Sequence, residues 1–271
     1  MCELSEIEAM LRAHEEGLCS SIMRSLGSSA VTVFGVFDEK GKDRLELAGS
    51  GTLVFCGGSH YILTAAHVWE NVLKSAVKLG ITMTDNIDHQ HLTDVAAIIP
   101  TTLPLNDAGW NEWGPDLAML RIPPERVGGI KAYHVFEDVQ APPRLLGVDC
   151  LECWFVIGTP KELGVFTQSH ADVQTLMCSA DAQPHERGEH DYFDLQLDTN
   201  ALNMPKSFGG LSGGGLWRVM VYCSPTTGKV DWAQRLKGVA FWQFPPENGH
   251  RAIRCHGPKS IAALTGLVAT G

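Results

Sequence analysis

Residues 208–217 read Phe-Gly-Gly-Leu-Ser-Gly-Gly-Gly-Leu-Trp, so that five glycines surround Ser212 before a bulky apolar run begins. That run continues as Leu-Trp-Arg-Val-Met-Val-Tyr and predicts a strand. Glycine permits backbone conformations that turn several amides toward one point, so we expect the N–H groups of Gly210 and Ser212 to form an oxyanion hole. Taken alone, the segment is also compatible with a flexible glycine loop.

Two earlier segments contain the other groups that a reactive serine needs at neutral pH, a base and a carboxylate that orients it. Tyr-Ile-Leu-Thr-Ala-Ala-His, ending at His67, predicts a strand followed by small residues beside an imidazole. Pro-Asp-Leu-Ala-Met-Leu-Arg-Ile places Asp116 at the head of an apolar strand. A similar segment, Thr-Asp-Val-Ala-Ala-Ile, places Asp94 before another strand, so two acids compete for this role.

In this order the segments resemble the signatures of chymotrypsin-like serine peptidases, which run T-A-A-H, then D-[IL]-A-[LM]-L, then G-x-S-G-G. The resemblance covers about residues 30–265. It implies that His67 is the general base and acid, that Asp116 orients it and that Ser212 is the nucleophile. We prefer Asp116 to Asp94 because the residues after Asp116 match the family signature further. The predicted function is therefore a serine endopeptidase that works through an acyl-enzyme intermediate.

Short β-rich segments separated by Gly, Asp and Asn follow one another from Ala30 onward and predict an all-β protein. The resemblance implies two antiparallel six-stranded barrels with the site between them, the first in residues 29–140 and the second in residues 141–271. Residues 3–26 carry apolar side chains at helical spacing. We therefore predict that residues 1–28 form an N-terminal helical extension that docks on a larger body.

Lys206 lies six residues before Ser212, where the resemblance implies the base of the pocket for the residue that precedes the scissile bond. A basic pocket floor would select an acidic side chain there. Residues 238–243, Gly-Val-Ala-Phe-Trp-Gln, resemble the strand to which substrates of this family add as an extra β-strand. The residues expected to bind substrate are Lys206, Phe241, Trp242 and Gln243.

The composition argues against several classes of partner. A net charge of −10 leaves no dense Lys/Arg surface for nucleic acid or an anionic membrane. No segment approaches the roughly 18 apolar residues of a membrane span, and the acidic N-terminal segment lacks the basic start of a signal peptide. We therefore expect a cytoplasmic protein with reduced cysteines. By the resemblance, Leu211 and Val68 replace residues that secreted relatives use for zymogen activation and for a disulfide, which agrees with this location.

We expect no cofactor and no metal, although Cys150-Leu-Glu-Cys153 has the spacing of a metal or redox pair. Three alternatives to an independently active peptidase stay open. Gly210-Leu-Ser-Gly-Gly214 also fits the G-x-S-x-G turn of α/β-hydrolase esterases, with His250 or His256 as the base. A catalytically silent binding module is the second. The third is a peptidase activated by a protein partner that docks on the N-terminal helix, in a stress or defence pathway of a bacterium.

Overall fold

The computed structural model describes residues 4–12, 16–82, 90–104, 111–142, 147–166, 171–201 and 204–270. Strands make up most of the regular structure, so the predicted all-β class with N-terminal helical structure is confirmed at this level. The helices are α1 (Leu4–Arg12), α2 (Glu16–Gly27), α3 (Ala66–Asn71), α4 (Pro124–Lys131) and α5 (Pro258–Thr270).

The first sheet is built from the N-terminal half of the chain. Its strands are β1 (Ala30–Asp38), β2 (Asp43–Cys56), β3 (Ser59–Thr64), β4 (Lys78–Thr82), β5 (His91–Asp94), β6 (Ile99–Thr102), β7 (Ala118–Arg121) and β8 (Glu137–Asp138). They hydrogen-bond in the order β5-β4-β1-β2-β3-β7-β6, and β8 pairs with β2. The neighbouring position of β3 and β7 brings the chain after β3 close to the chain before β7.

The C-terminal half forms the second sheet. Its strands are β9 (Cys150–Gly158), β10 (Gly164–Phe166), β11 (Ala171–Val173), β12 (Leu176–Ser179), β13 (Ala182–Arg187), β14 (His190–Asp198), β15 (Gly215–Cys223), β16 (Val230–Gln243) and β17 (His250–His256). Strands β10 and β11 pair only with each other, and the rest follow the order β12-β9-β15-β16-β17-β14-β13. These strand numbers differ from the six per barrel that the resemblance implied. The interval between β8 and β9 contains the predicted boundary at residues 140 and 141.

The N-terminal helices pack into the core of this chain. Ile7 of α1 and Leu26 of α2 are completely buried, in one apolar cluster with Val54 of the first sheet and Trp217 of the second. The apolar face that we predicted would dock on a larger body thus docks within the protein itself. A partner that binds these helices must use their other side. We predicted one helix, whereas two are described, with residues 13–15 outside the described ranges.

Helix α5 was not predicted, because the residues that cap it come from far away in the sequence. Asp191 of β14 accepts hydrogen bonds from the backbone N–H groups of Lys259 (3.0 Å) and Ser260 (2.8 Å), the latter 69 residues further along the chain. Ile261 and Leu264 of this helix are buried in the core. None of the described helices combines the length and the apolar character that crossing a membrane requires.

The cysteines differ in part from the expectation of reduced thiols. The free ones are Cys19, Cys56, Cys150, Cys153, Cys178 and Cys255. Cys223 is disulfide-bonded. The expectation is therefore wrong for Cys223.

Candidate active site

The pairing of β3 with β7 brings Asp116 to His67. Thr64 at the end of β3 lies opposite Ala118 at the start of β7, so the segment before β7 runs beside the start of α3. Asp116 Oδ2 lies 2.6 Å from His67 Nδ1, and Asp116 Oδ1 accepts the backbone N–H of His67 at 2.9 Å. Because an ionised carboxylate can only accept hydrogen bonds, this contact holds the imidazole hydrogen on Nδ1 and leaves Nε2 as the basic nitrogen.

The rival acid lies elsewhere. Asp94 ends β5, which is at the edge of the first sheet, and its side chain is exposed. The register of β5 with β4 places it opposite Lys78. The structure therefore brings Asp116, and not Asp94, to His67.

A buried histidine from the second sheet holds the backbone of Asp116. His256 Nε2 accepts the Asp116 N–H at 2.9 Å, and the imidazole stacks on the ring of Phe241 with centroids 4.3 Å apart. His256 is completely buried, and burial together with nearby His190 lowers its pKa from 6.5 to about 3. At neutral pH the ring is therefore uncharged, which its role as an acceptor requires.

We expect His256 to make the protein acid-sensitive. Below pH 6.5 the unfolded chain binds a proton at this residue while the folded chain does not until about pH 3, so acidification favours unfolding. From pH 6.5 to pH 5 this residue should lower the free energy of unfolding by about 2 kcal/mol. Urea unfolding at both pH values should show a smaller loss in His256→Gln, whose amide oxygen accepts the same hydrogen bond without titrating. An equal loss in both proteins would contradict this assignment.

The segment that precedes Asp116 is held by two more residues of the second sheet. Arg254 is buried, pairs with both oxygens of Asp194 at 2.7 Å, and stacks its guanidinium 3.9 Å from the ring centre of Trp113. Tyr192 Oη donates to the backbone oxygen of Trp113 at 2.5 Å. The position of the acid in the first sheet thus depends on residues from the second.

Ser212 lies in a tight turn immediately before β15. Gly214 N–H donates to Leu211 O at 2.8 Å, and the backbone oxygen of Ser212 accepts the Ser50 N–H of the first sheet at 2.8 Å. Gly213 has a φ of 92°, in the left-handed region that side chains rarely adopt. A Cβ atom at Gly213 would lie only 1.9 Å from the backbone oxygen of Ser50, so this turn requires glycine.

The backbone around the serine leaves two amides for a ligand. Gly209 O accepts the Lys161 N–H at 2.6 Å, so the Gly210 N–H of the same trans peptide points the opposite way. Ser50 Oγ donates to Gly210 O at 2.8 Å and fixes the next peptide. Among the described residues, no acceptor takes the N–H of Gly210 or of Ser212. Two unused amides, one of the serine itself and one two residues before it, are the kind of donor set that a developing oxyanion needs.

His67, Asp116 and Ser212 line one cleft of about 400 Å³. Its remaining wall is mainly apolar and includes Phe208, Ala240, Phe241, Trp242, Gln243 and Ile253. A cleft of this size with a few polar groups is typical of a site that takes one or two substrate side chains.

The cleft contains three of the four residues that we predicted to bind substrate, namely Phe241, Trp242 and Gln243. Lys206 is exposed, its backbone N–H donates to Glu162 Oε2 at 2.9 Å, and it does not line the cleft. The pocket-floor role predicted for Lys206 is therefore not supported, because its side chain lies at the surface.

Sequence reasoning missed the residues that position the site from a distance. Ser50, His256 and Arg254 carry no local motif, and the contact of His256 with Asp116 spans 140 residues. The sequence offered only a weak signal, since His256 was considered as the base of an esterase.

No model of a known protein family matches this chain, and no curated protein matches it either. Within the described ranges, no group of three His, Cys, Asp or Glu side chains could hold a metal ion.

Proposed function

We propose that this chain is a serine endopeptidase. The observation that carries the proposal is one cleft lined by His67, Asp116 and Ser212, in which the carboxylate lies 2.6 Å from the imidazole. A serine, an oriented imidazole and free backbone amides together can perform acyl transfer at neutral pH.

In the proposed mechanism, Ser212 Oγ attacks the carbonyl carbon of the scissile peptide bond while His67 Nε2 takes its proton. The N–H groups of Gly210 and Ser212 stabilise the negative charge on the tetrahedral oxygen. His67 then gives the proton to the leaving amine, and Asp116 stabilises the transient imidazolium. Water, activated by the same histidine, hydrolyses the acyl-enzyme and regenerates Ser212.

The edge of β16 supports a peptide as substrate. Strand β16 pairs with β15 along one edge, and this pairing ends at Gly215 and Val239. Beyond that pair, no described strand lies along the same edge of residues 241–243. An extended peptide can add there by backbone hydrogen bonds, and its carbonyl would lie near Ser212. Backbone addition of this kind favours a polypeptide substrate over a small ester.

We also propose that the two sheets correspond to the two β-barrels of chymotrypsin-like peptidases and that the protein is cytoplasmic. The origin of the His-Asp pair in one sheet and of the serine in the other supports the first point. The free cysteines support the second, and the disulfide at Cys223 argues against it.

The local structure around Ser212 disfavours an esterase of the α/β-hydrolase type. That class places its serine between a strand and a helix, whereas Ser212 precedes β15, a strand of an antiparallel sheet. His256, the candidate base for that reading, is buried with its Nε2 engaged by the Asp116 N–H.

A fluorophosphonate probe tests the proposal, because it forms a stable adduct only with an activated serine. The purified full chain should be labelled, and mass spectrometry should locate the adduct on Ser212. Ser212→Ala should lose all labelling. Ser207→Ala is the matched control, since Ser207 lies in the same segment, its Oγ accepts the Gly209 N–H at 3.2 Å, and labelling should persist.

An adduct on any other serine would contradict the assignment of the nucleophile. A folded wild-type protein that takes no label would contradict an independently active enzyme. It would favour the silent binding module or the partner-activated peptidase instead.

A further inference from the structure

Arg251 lies on β17, immediately behind the wall of the cleft. Side chains alternate along a strand, so Arg251 is on the same face as Ile253, which lines the cleft. Its Nη1 donates to Gln243 Oε1 at 3.2 Å, and its guanidinium carbon is 5.9 Å from the ring centre of Phe208. Because Gln243 and Phe208 line the cleft, the positive charge is one side chain away from the space that contains Ser212.

No acid neutralises Arg251 within the described part of the chain. Its Nε is buried and has no hydrogen-bond partner there, and it forms no ion pair. By contrast, Arg44, Arg218 and Arg254 are each paired with a carboxylate. A partly buried cation without a counter-ion costs free energy. An anion that enters the cleft would remove this cost.

Gln243 is oriented so that it can assist. Its Oε1 accepts both the Phe208 N–H at 3.0 Å and the Arg251 Nη1–H at 3.2 Å. With the oxygen used by two donors, the amide NH₂ group is left without an acceptor among the described residues. The remaining N–H groups of Arg251 and of the Gln243 amide are therefore donors beside the cleft that have no acceptor among the described residues.

Resting on the peptidase function proposed above, we propose that the enzyme cleaves after glutamate and aspartate, and that Arg251 and Gln243 bind the substrate carboxylate. Phe208, Gly209, Leu211 and residues 241–243 line the same cleft as Ser212, so the side chain that enters it belongs to the residue whose carbonyl is attacked. The apolar walls of Phe208 and Ile253 lower the local dielectric and strengthen the charge pairing. A preference for an acidic residue before the scissile bond was also predicted from the sequence, but with Lys206 and not Arg251 as the cation.

Internally quenched peptides that differ only at the residue before the scissile bond test this proposal. The series carries Glu, Asp, Gln, Leu or Lys at that position. Because Glu and Gln have nearly the same shape, comparing their kcat/KM values measures the effect of the charge alone. For the wild-type protein, kcat/KM should be about 100-fold higher for Glu than for Gln, as expected for a charge pair at a partly buried site.

Variants of Arg251 should remove the preference without removing the chemistry. In Arg251→Met the ratio of kcat/KM for Glu over Gln should fall close to one, while Ser212 still takes the uncharged fluorophosphonate label. Arg251→Lys, which keeps the charge, should retain part of the preference. Arg121→Met removes an exposed arginine that does not line the cleft, and it should leave the ratio unchanged.

The outcomes separate this inference from the peptidase function itself. A protein that takes no label at Ser212 and cleaves nothing contradicts both. A protein that is labelled at Ser212 and cleaves the series without a preference for Glu over Gln contradicts only the role of Arg251. A protein that is labelled but cleaves no member of the series contradicts the peptidase function as well. Retention of the full preference in Arg251→Met would also overturn it.

Discussion

Asp116→Asn should lower kcat for peptide hydrolysis by roughly 10⁴-fold while the fold persists. In the wild-type protein, Asp116 Oδ1 accepts the backbone N–H of His67 at 2.9 Å, and Asp116 Oδ2 lies 2.6 Å from His67 Nδ1. In the variant, the amide can keep its oxygen on the backbone N–H and must then present NH₂ to Nδ1. The imidazole hydrogen is forced onto Nε2, so the nitrogen that should accept the serine proton is no longer basic. Peptide hydrolysis and the rate of fluorophosphonate labelling both measure this loss.

Asp94→Asn is the matched control, because it removes the same charge from the exposed edge strand β5. We expect its kcat and its Tm to be close to those of the wild-type protein. The melting temperature of Asp116→Asn should also change little. His256 accepts a hydrogen bond from the backbone N–H of residue 116, and this N–H is present in both Asp and Asn. A large loss in Asp94→Asn with normal activity in Asp116→Asn would reverse the assignment of the acid.

Gly213→Ala should have the largest effect on stability among simple substitutions at the site. The added Cβ would lie 1.9 Å from the backbone oxygen of Ser50 and 2.2 Å from Thr64 Oγ1. Thr64 Oγ1 donates to that same oxygen at 2.7 Å, so the methyl group must break this hydrogen bond and separate the turn from the first sheet. We expect a fall in Tm of roughly 10 °C and the loss of labelling at Ser212.

Gly41→Ala separates backbone strain from collision. Gly41 also has a positive φ, 81°, but nothing lies within 4 Å of the position where its Cβ would be. This control should lose only about 1 kcal/mol, the cost of a left-handed conformation for alanine. Similar shifts in Tm for the two variants, measured by thermal unfolding, would show that the turn at Gly213 can relax and that the contact with Ser50 does not hold the serine.

Much of the fold follows from local patterns. The short β-rich segments separated by Gly, Asp and Asn from Ala30 onward predict strands, and helical spacing predicts N-terminal helical structure, because both signals lie in neighbouring residues. Helix α5 was missed since its cap, Asp191, comes from β14. The number of strands per sheet was also not predictable, because pairing depends on segments that are distant in the sequence.

The glycine-flanked serine at 208–217, the histidine after β3 and an acid before an apolar strand could be identified from the sequence alone, because each is defined by its immediate neighbours. The sequence could not choose between Asp116 and Asp94 by geometry, since both precede similar apolar segments. Only the pairing of β3 with β7 brings one of them to His67. From its spacing to Ser212, Lys206 was predicted to be the cation of the cleft. In the folded chain Lys206 is exposed, and Arg251 lies behind Gln243 instead. Side chains that act together across two sheets meet through strand register and packing, and neither is encoded within a short segment of sequence.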